Sequence, residues 1–191
     1  MGENESFPLP DDLPEPEDDG EADHLPGTTV PSETLSTTDG TVLDLSELAG
    51  RTVVYCYPKT GRPDEDVTPD GWAEIPGARG CTPETCGFRD HYQELQERGV
   101  SEVFGLSLQS SEYQCEARDR LELPFELLSD AAVNLTTSLR LPTFEVAGER
   151  FLKRLTLVLS DGQIEHVFYP VFPPDEHADE VLHWLENHPR D

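Results

Sequence analysis

The run Thr52-Val53-Val54-Tyr55-Cys56-Tyr57 constrains the fold more than any other part of the chain. After Thr52 it shows no polar alternation, so both of its faces must be covered, as in a central strand of a sheet packed between layers. Pro58 ends it, because proline has no N–H to give to a ladder. At 191 residues the chain is long enough for one domain with extra segments around a sizeable core.

Around this strand the pattern alternates. Leu25 to Leu45 reads as short strands about the turn Thr38-Asp39-Gly40. A helix is expected from about Cys81 to Arg98, with Phe88, Tyr92 and Leu95 on one face. Val103 to Ser107 is the next strand, Ser111 or Glu112 opens a helix to about Leu121, Phe125 to Leu128 is extended, and Asn134 to Leu141 is a short helix. Leu152 to Leu159 and Gln163 to Phe168 form an antiparallel pair about Ser160-Asp161-Gly162. Asp175 is expected to cap a last helix carrying Ala178, Val181, Leu182 and Leu185 at helical spacing. The order predicts an α/β, thioredoxin-like fold: a central mixed β-sheet flanked by helices, with an N-terminal hairpin extension.

Two segments stand outside this scheme. Residues 1–24 hold ten acidic residues, no Lys or Arg and repeated proline, and are expected to form a disordered or loosely held arm, leaving 25–191 as the domain. Residues 59–80 contain Gly61, Pro63, Pro69, Gly71, Pro76 and Gly77 and are long for a strand-to-helix connection, so they read as an inserted loop.

Charge narrows the setting further. The chain has 40 Asp+Glu against 13 Lys+Arg, a formal charge of −27, and its only lysines are Lys59 and Lys153. This excess argues against nucleic acid or an anionic membrane as partner. Spread along the whole chain, it resembles the proteins of salt-accumulating halophiles. No apolar stretch has the length of a membrane span and no basic-then-apolar leader opens the chain, so a cytoplasmic location is expected. Four cysteines are too few for a disulfide scaffold and are better suited to catalysis, metal binding or burial.

The chemistry concentrates in Gly80-Cys81-Thr82-Pro83-Glu84-Thr85-Cys86-Gly87-Phe88-Arg89-Asp90. Cys81 falls in the first turn of the expected helix, where the macrodipole and unpaired backbone N–H groups favour a nucleophilic thiolate. A second thiol five residues on is near enough in sequence to capture an oxidised first one.

Together with Tyr57-Pro58-Lys59, Phe104-Gly105-Leu106-Ser107, Leu123 to Asp130 and Arg154 to Gly162, this segment resembles the peroxiredoxins of the bacterioferritin-comigratory, PrxQ-like group of the AhpC/TSA (redoxin) family. The resemblance covers roughly Leu25 to the C-terminal helix. It implies a thiol peroxidase for hydrogen peroxide and organic hydroperoxides, without cofactor or metal, recycled by a thioredoxin-like dithiol and acting as a monomer or homodimer. Cys81 then corresponds to the peroxidatic cysteine, Cys86 to the resolving cysteine and Arg154 to the arginine against the peroxidatic sulfur. Cys115, on the second helix, is the alternative resolver, and Cys56 in its buried strand is core. The family's threonine three residues before the cysteine is replaced by Ala78. Pro58 matches the family proline, and Thr60 is the candidate to supply the missing hydroxyl.

Two other classes compete. A metal site would draw on the cysteines with His91 or His166, but no C-x-x-C or H-x-x-x-H pair exists. A non-peroxidatic thioredoxin-like redox or interaction domain is the other, and a thioredoxin-type oxidoreductase would need the absent C-x-x-C.

Overall fold

A computed structural model describes residues 9–61 and 69–190. Strands β1 (Thr34–Thr37) and β2 (Val42–Asp44) form the N-terminal hairpin, followed by β3 (Arg51–Cys56). Helices α1 (Cys81–Asp90) and α2 (Tyr92–Glu97) lead to β4 (Val100–Ser107), α3 (Ser111–Leu121), β5 (Leu127–Ser129) and α4 (Asn134–Leu139). A small hairpin, β6 (Thr143–Val146) and β7 (Glu149–Leu152), precedes β8 (Leu155–Ser160), β9 (Gln163–Phe168) and α5 (His177–Asn187).

Seven strands join in the order β2-β1-β5-β4-β3-β8-β9. The sheet is mixed: β3 runs parallel to β4 and antiparallel to β8. All six residues of β3 are buried, and its alternation explains why. Val53 and Tyr55 enter a core with Phe88, Leu95, Val181 and Leu182 from the helices α1, α2 and α5. Val54 and Cys56 enter another with Leu25, Leu128, Leu135 and Leu157. From Val53 to Cys56 the strand has a core on each face and carries no charged residue, and the thioredoxin-like sandwich follows.

Four expectations change. The helix expected through Arg98 breaks at His91 (φ −100°, ψ 8°). The ring of His91 reaches Glu94 Oε1 at 2.9 Å and Asp179 Oδ1 at 3.2 Å, which ties the joint to α5. Asp175 caps no helix by its side chain: it lies in a 3-10 turn, Pro174–Glu176, and Glu176 holds the cap position of α5. The strand expected from Leu152 is interrupted at Lys153 and Arg154, because β7 pairs with β6 in a separate sheet and only β8 joins the main one. That hairpin turns at Ala147 (φ 52°) and Gly148 (φ 80°). Alanine at a left-handed position gives little sequence signal for such a turn.

The fourth change concerns the acidic arm. Its described part lies against the domain, with Ala22 buried in the core beside Leu25. Lys153 Nζ sits 2.8 Å from Asp19 Oδ2 and 3.0 Å from Glu21 Oε2, and the Tyr169 hydroxyl donates to Asp19 Oδ1 at 2.8 Å. Composition alone missed this because a few single residues, Lys153, Tyr169, His24 and Ala22, do the anchoring. Residues 1–8 of the expected arm lie outside the described residues. Of the expected inserted loop, residues 62–68 also lie outside them. Its later part is held by Trp72, whose ring packs 4.9 Å from Phe151 and 5.6 Å from Phe144 on the β6–β7 hairpin.

Replacing the clasp residue tests the arm. In Lys153→Met, cleavage by a Glu-specific protease within residues 15–24 should rise severalfold. Global stability by urea unfolding should fall by no more than about 1 kcal/mol, as for exposed ion pairs. Unchanged cleavage would show that the clasp does not hold the arm.

Candidate active site

Cys81 is the first residue of α1, and Gly80 before it adopts φ 104°. A Cβ on Gly80 would come within 2.4 Å of Pro174 Cγ, so only glycine fits both the turn and the approach of the α5 connection. Cys81 and Cys86 share α1 and are 5% and 8% exposed.

Arg154 occupies the two-residue break between β7 and β8, which points the chain out of the small hairpin and back beneath α1. It is 3% exposed. Its Nη2 donates to Cys81 Sγ at 3.2 Å and to the Arg79 carbonyl at 3.1 Å. Its Nη1 donates to Glu84 Oε1 at 2.9 Å. The guanidinium is thus held between a thiol and a carboxylate that stand three residues apart on one helix face. Burial works against its charge, but Cys81 and then Glu84 more than offset this and keep it a cation. Burial pushes the Glu84 carboxyl up to about 7, with Arg154 pulling the other way.

Glu84 was absent from the sequence-derived candidates, although a carboxylate on the inward face one turn after the cysteine was a readable signal. His177 is the second such residue. It is 1% exposed and pairs through Nε2 with Thr156 Oγ1 at 2.7 Å. Burial, then the nearby charge of Arg154, lowers its pKa to about 3, so it adds no second cation beneath the site.

The structure does not bring every candidate together. Thr60 is buried, but its N–H and hydroxyl both donate to Gln109 Oε1, at 3.1 and 3.4 Å, and its carbonyl accepts from Gln109 Nε2 at 3.0 Å. Its hydroxyl is therefore directed to Gln109 rather than to Cys81. Pro58 lines a different hollow with Gln109, Tyr113 and Phe151. Cys56 lies in β3, where burial drives its thiol far above the ordinary range. Cys115 Sγ contacts the Thr38 carbonyl at 3.3 Å, beside β5 and across β4 from β3. His91 is engaged by Glu94 and Asp179, and His166 stacks on Trp184 at 4.6 Å. Among the described residues no three His, Cys, Asp or Glu are grouped to hold a metal ion.

The position of Glu84 gives a pH signature. Its folded pKa, about 7, lies above the ordinary 4.5, so its contribution to stability is full below about pH 4.5 and lost as pH rises through 7. Glu84→Gln removes that titration. The stability of wild type relative to the variant should fall by up to about 3 kcal/mol between pH 4.5 and pH 8 in urea unfolding. A difference that stays flat with pH would contradict the buried carboxyl.

Comparison with known proteins gives the family. Residues 25–182 match the sequence profile of the redoxin family. The chain is 33% identical over 172 residues to peroxiredoxin Bcp of Escherichia coli (strain K12), covering 85% of this chain and 96% of that one. It is 32% identical over 162 residues to the chloroplastic peroxiredoxin Q of Sedum lineare, covering 84% of this chain and 77% of that one. Its fold matches the crystal structure of peroxidoxin BcpB from Mycobacterium tuberculosis with a TM-score of 0.69 at 27% identity, over 86% and 98% of the two chains. By sequence and by fold, the chain belongs to the redoxin family, among the thiol peroxidases of the Bcp and peroxiredoxin Q type.

Proposed function

We propose that this peroxidase works through Cys81 as the nucleophile, Cys86 as the resolving thiol and Arg154 as the group that stabilises charge on both sulfur and peroxide. The observation that carries the reading is the 3.2 Å contact between Arg154 Nη2 and Cys81 Sγ at the start of α1. A fixed, buried guanidinium favours the thiolate and donates hydrogen bonds where oxygen charge develops.

The sulfur electron pair attacks the terminal oxygen of R–O–O–H and the O–O bond breaks. RO⁻ leaves and takes up a proton as ROH, while Cys81 becomes a sulfenic acid. With the Thr60 hydroxyl directed to Gln109, the peroxide is activated by Arg154 and the first backbone N–H groups of α1. Cys86 sulfur then attacks Cys81 sulfur. The S–O bond breaks, the hydroxide leaves as water with the proton of Cys86, and a disulfide forms. A thioredoxin-like dithiol reduces that disulfide by exchange and is itself oxidised. Hydrogen peroxide and organic hydroperoxides are the substrates, in the cytoplasm, with the protein a monomer or homodimer. No helix among the described residues is long and apolar enough to cross a membrane.

Geometry demands a conformational step. Residues five apart on a helix differ by about 140° in azimuth and stand roughly 8–9 Å apart between Cα atoms. A disulfide tolerates at most about 7 Å. Both cysteines lie within α1, so the first turns of that helix must unwind in each cycle.

Mass mapping after one equivalent of peroxide should find a Cys81–Cys86 link, with loss of amide-exchange protection across residues 80–90 on oxidation. A Cys81–Cys115 link would move the resolver to α3, and unchanged protection would remove the unwinding step.

The site residues make a kinetic prediction as well. Cys81→Ser should abolish peroxide consumption, which separates a peroxidase from a thioredoxin-like domain without peroxidase activity. Arg154→Lys, which keeps a charge but loses the fork, should lower kcat/KM for hydrogen peroxide by about 100-fold. An Arg154→Lys enzyme with wild-type kcat/KM would remove arginine from the chemistry.

A further inference from the structure

A cavity of about 450 Å³ opens beside the candidate site. Its walls include Ile75 and Phe144 of the inserted loop and small hairpin, Val171 after β9, and Pro16 of the N-terminal arm. Arg154 also lines it. This side chain is buried, and its Nε has no hydrogen-bond partner among the described residues, although Nη1 and Nη2 are engaged by Glu84, Arg79 and Cys81. The hollow therefore joins apolar walls to the arginine whose guanidinium touches the sulfur.

Part of the wall carries charge. Glu15, Glu17 and Asp19 line the cavity and are solvent-exposed, so they stand at its rim. Lys153, which also lines it, is already engaged by Asp19 and Glu21. The rim keeps a negative excess. The arm is held in this place by the Lys153 clasp and by Ala22 in the core.

We propose that this cavity is a selectivity site for organic hydroperoxides, in which the N-terminal arm admits neutral molecules and turns away those bearing a carboxylate. The inference rests on the peroxidase reading above. With the –O–O–H group at Arg154 and Cys81, the organic part of the molecule lies along Ile75, Phe144 and Val171, and its far end meets the rim. An apolar group is favoured there by leaving water. A carboxylate there faces two or three like charges, and the rim's described lysine is already spoken for. Repulsion across the wet rim is modest per pair and is screened by salt. Selection should therefore be strong in dilute buffer and weak in concentrated salt.

Cumene hydroperoxide and its para-carboxylate differ by one charge far from the peroxide. With full-length protein and dithiothreitol as reductant, kcat/KM is measured for both and each value is divided by the rate of that peroxide with a free thiolate. The neutral compound should be favoured about tenfold at low ionic strength, falling below about threefold in 1 M KCl. Glu15→Gln/Glu17→Gln should close most of the gap at low salt. Equal normalised values in wild type at low salt would overturn the proposal, as would a preference that the double substitution leaves unchanged. If the double variant does not fold, Glu15→Gln and Glu17→Gln made singly decide instead, each expected to close part of the gap. Failure to consume hydrogen peroxide at all would instead overturn the peroxidase reading.

Discussion

The site depends on one buried cation. Moving a guanidinium out of water is expensive unless charge and hydrogen bonds are returned to it. Here the Cys81 sulfur, the Glu84 carboxylate and the Arg79 carbonyl return them from three directions. Two of these partners ride on one face of α1, so the register of that helix over the sheet sets the guanidinium's place. The third precedes Gly80, whose left-handed backbone and lack of a Cβ let the chain pass under Pro174. Arg154 itself is delivered by the break between β7 and β8. An unbroken strand there would have spent its backbone on a ladder and its side chain on one of the two cores.

Much of this was legible in the sequence, for reasons that differ by residue. The apolar run at β3 implied a sheet covered on both faces, and the two cores that share it are the result. Cys81 was legible because glycine and proline mark a helix start around it. Arg154 was named through the family resemblance, since an arginine beside a strand carries no signal of its own. Glu84 was missed because charged residues are by default read as solvated, and only the buried guanidinium makes an inward carboxylate stable. The small hairpin was missed because its left-handed positions are filled by Ala147 and Gly148 rather than by Asn-Gly. The Thr60 expectation failed for a long-range reason: the partner that takes its hydroxyl, Gln109, lies 49 residues away.

The two segments that departed from the domain pattern both end at the site. The inserted loop is pinned by Trp72 to the small hairpin, which sets the carbonyls of Ala78 and Arg79 just before Gly80. The acidic arm is pinned by Lys153, the residue next to Arg154, and forms part of the neighbouring cavity. In a chain with a net charge of −27 the arm is held close by a cation together with the Tyr169 hydroxyl and the burial of Ala22. The position chosen puts the arm's charge beside the chemistry.

That arrangement bears on how the proposed cycle resets. Joining Cys81 to Cys86 requires the first turns of α1 to open, and Glu84 lies between the two cysteines in those same turns. In the proposed cycle, opening them would withdraw the Cys81 sulfur and the Glu84 carboxylate from Arg154 together. On that proposal the oxidised state would gain a covalent bond at the expense of the buried Arg154–Glu84 ion pair. Reduction of the proposed disulfide would let the helix, the carboxylate and the thiol return to the guanidinium as one unit, since Cys81 and Glu84 share one face of α1.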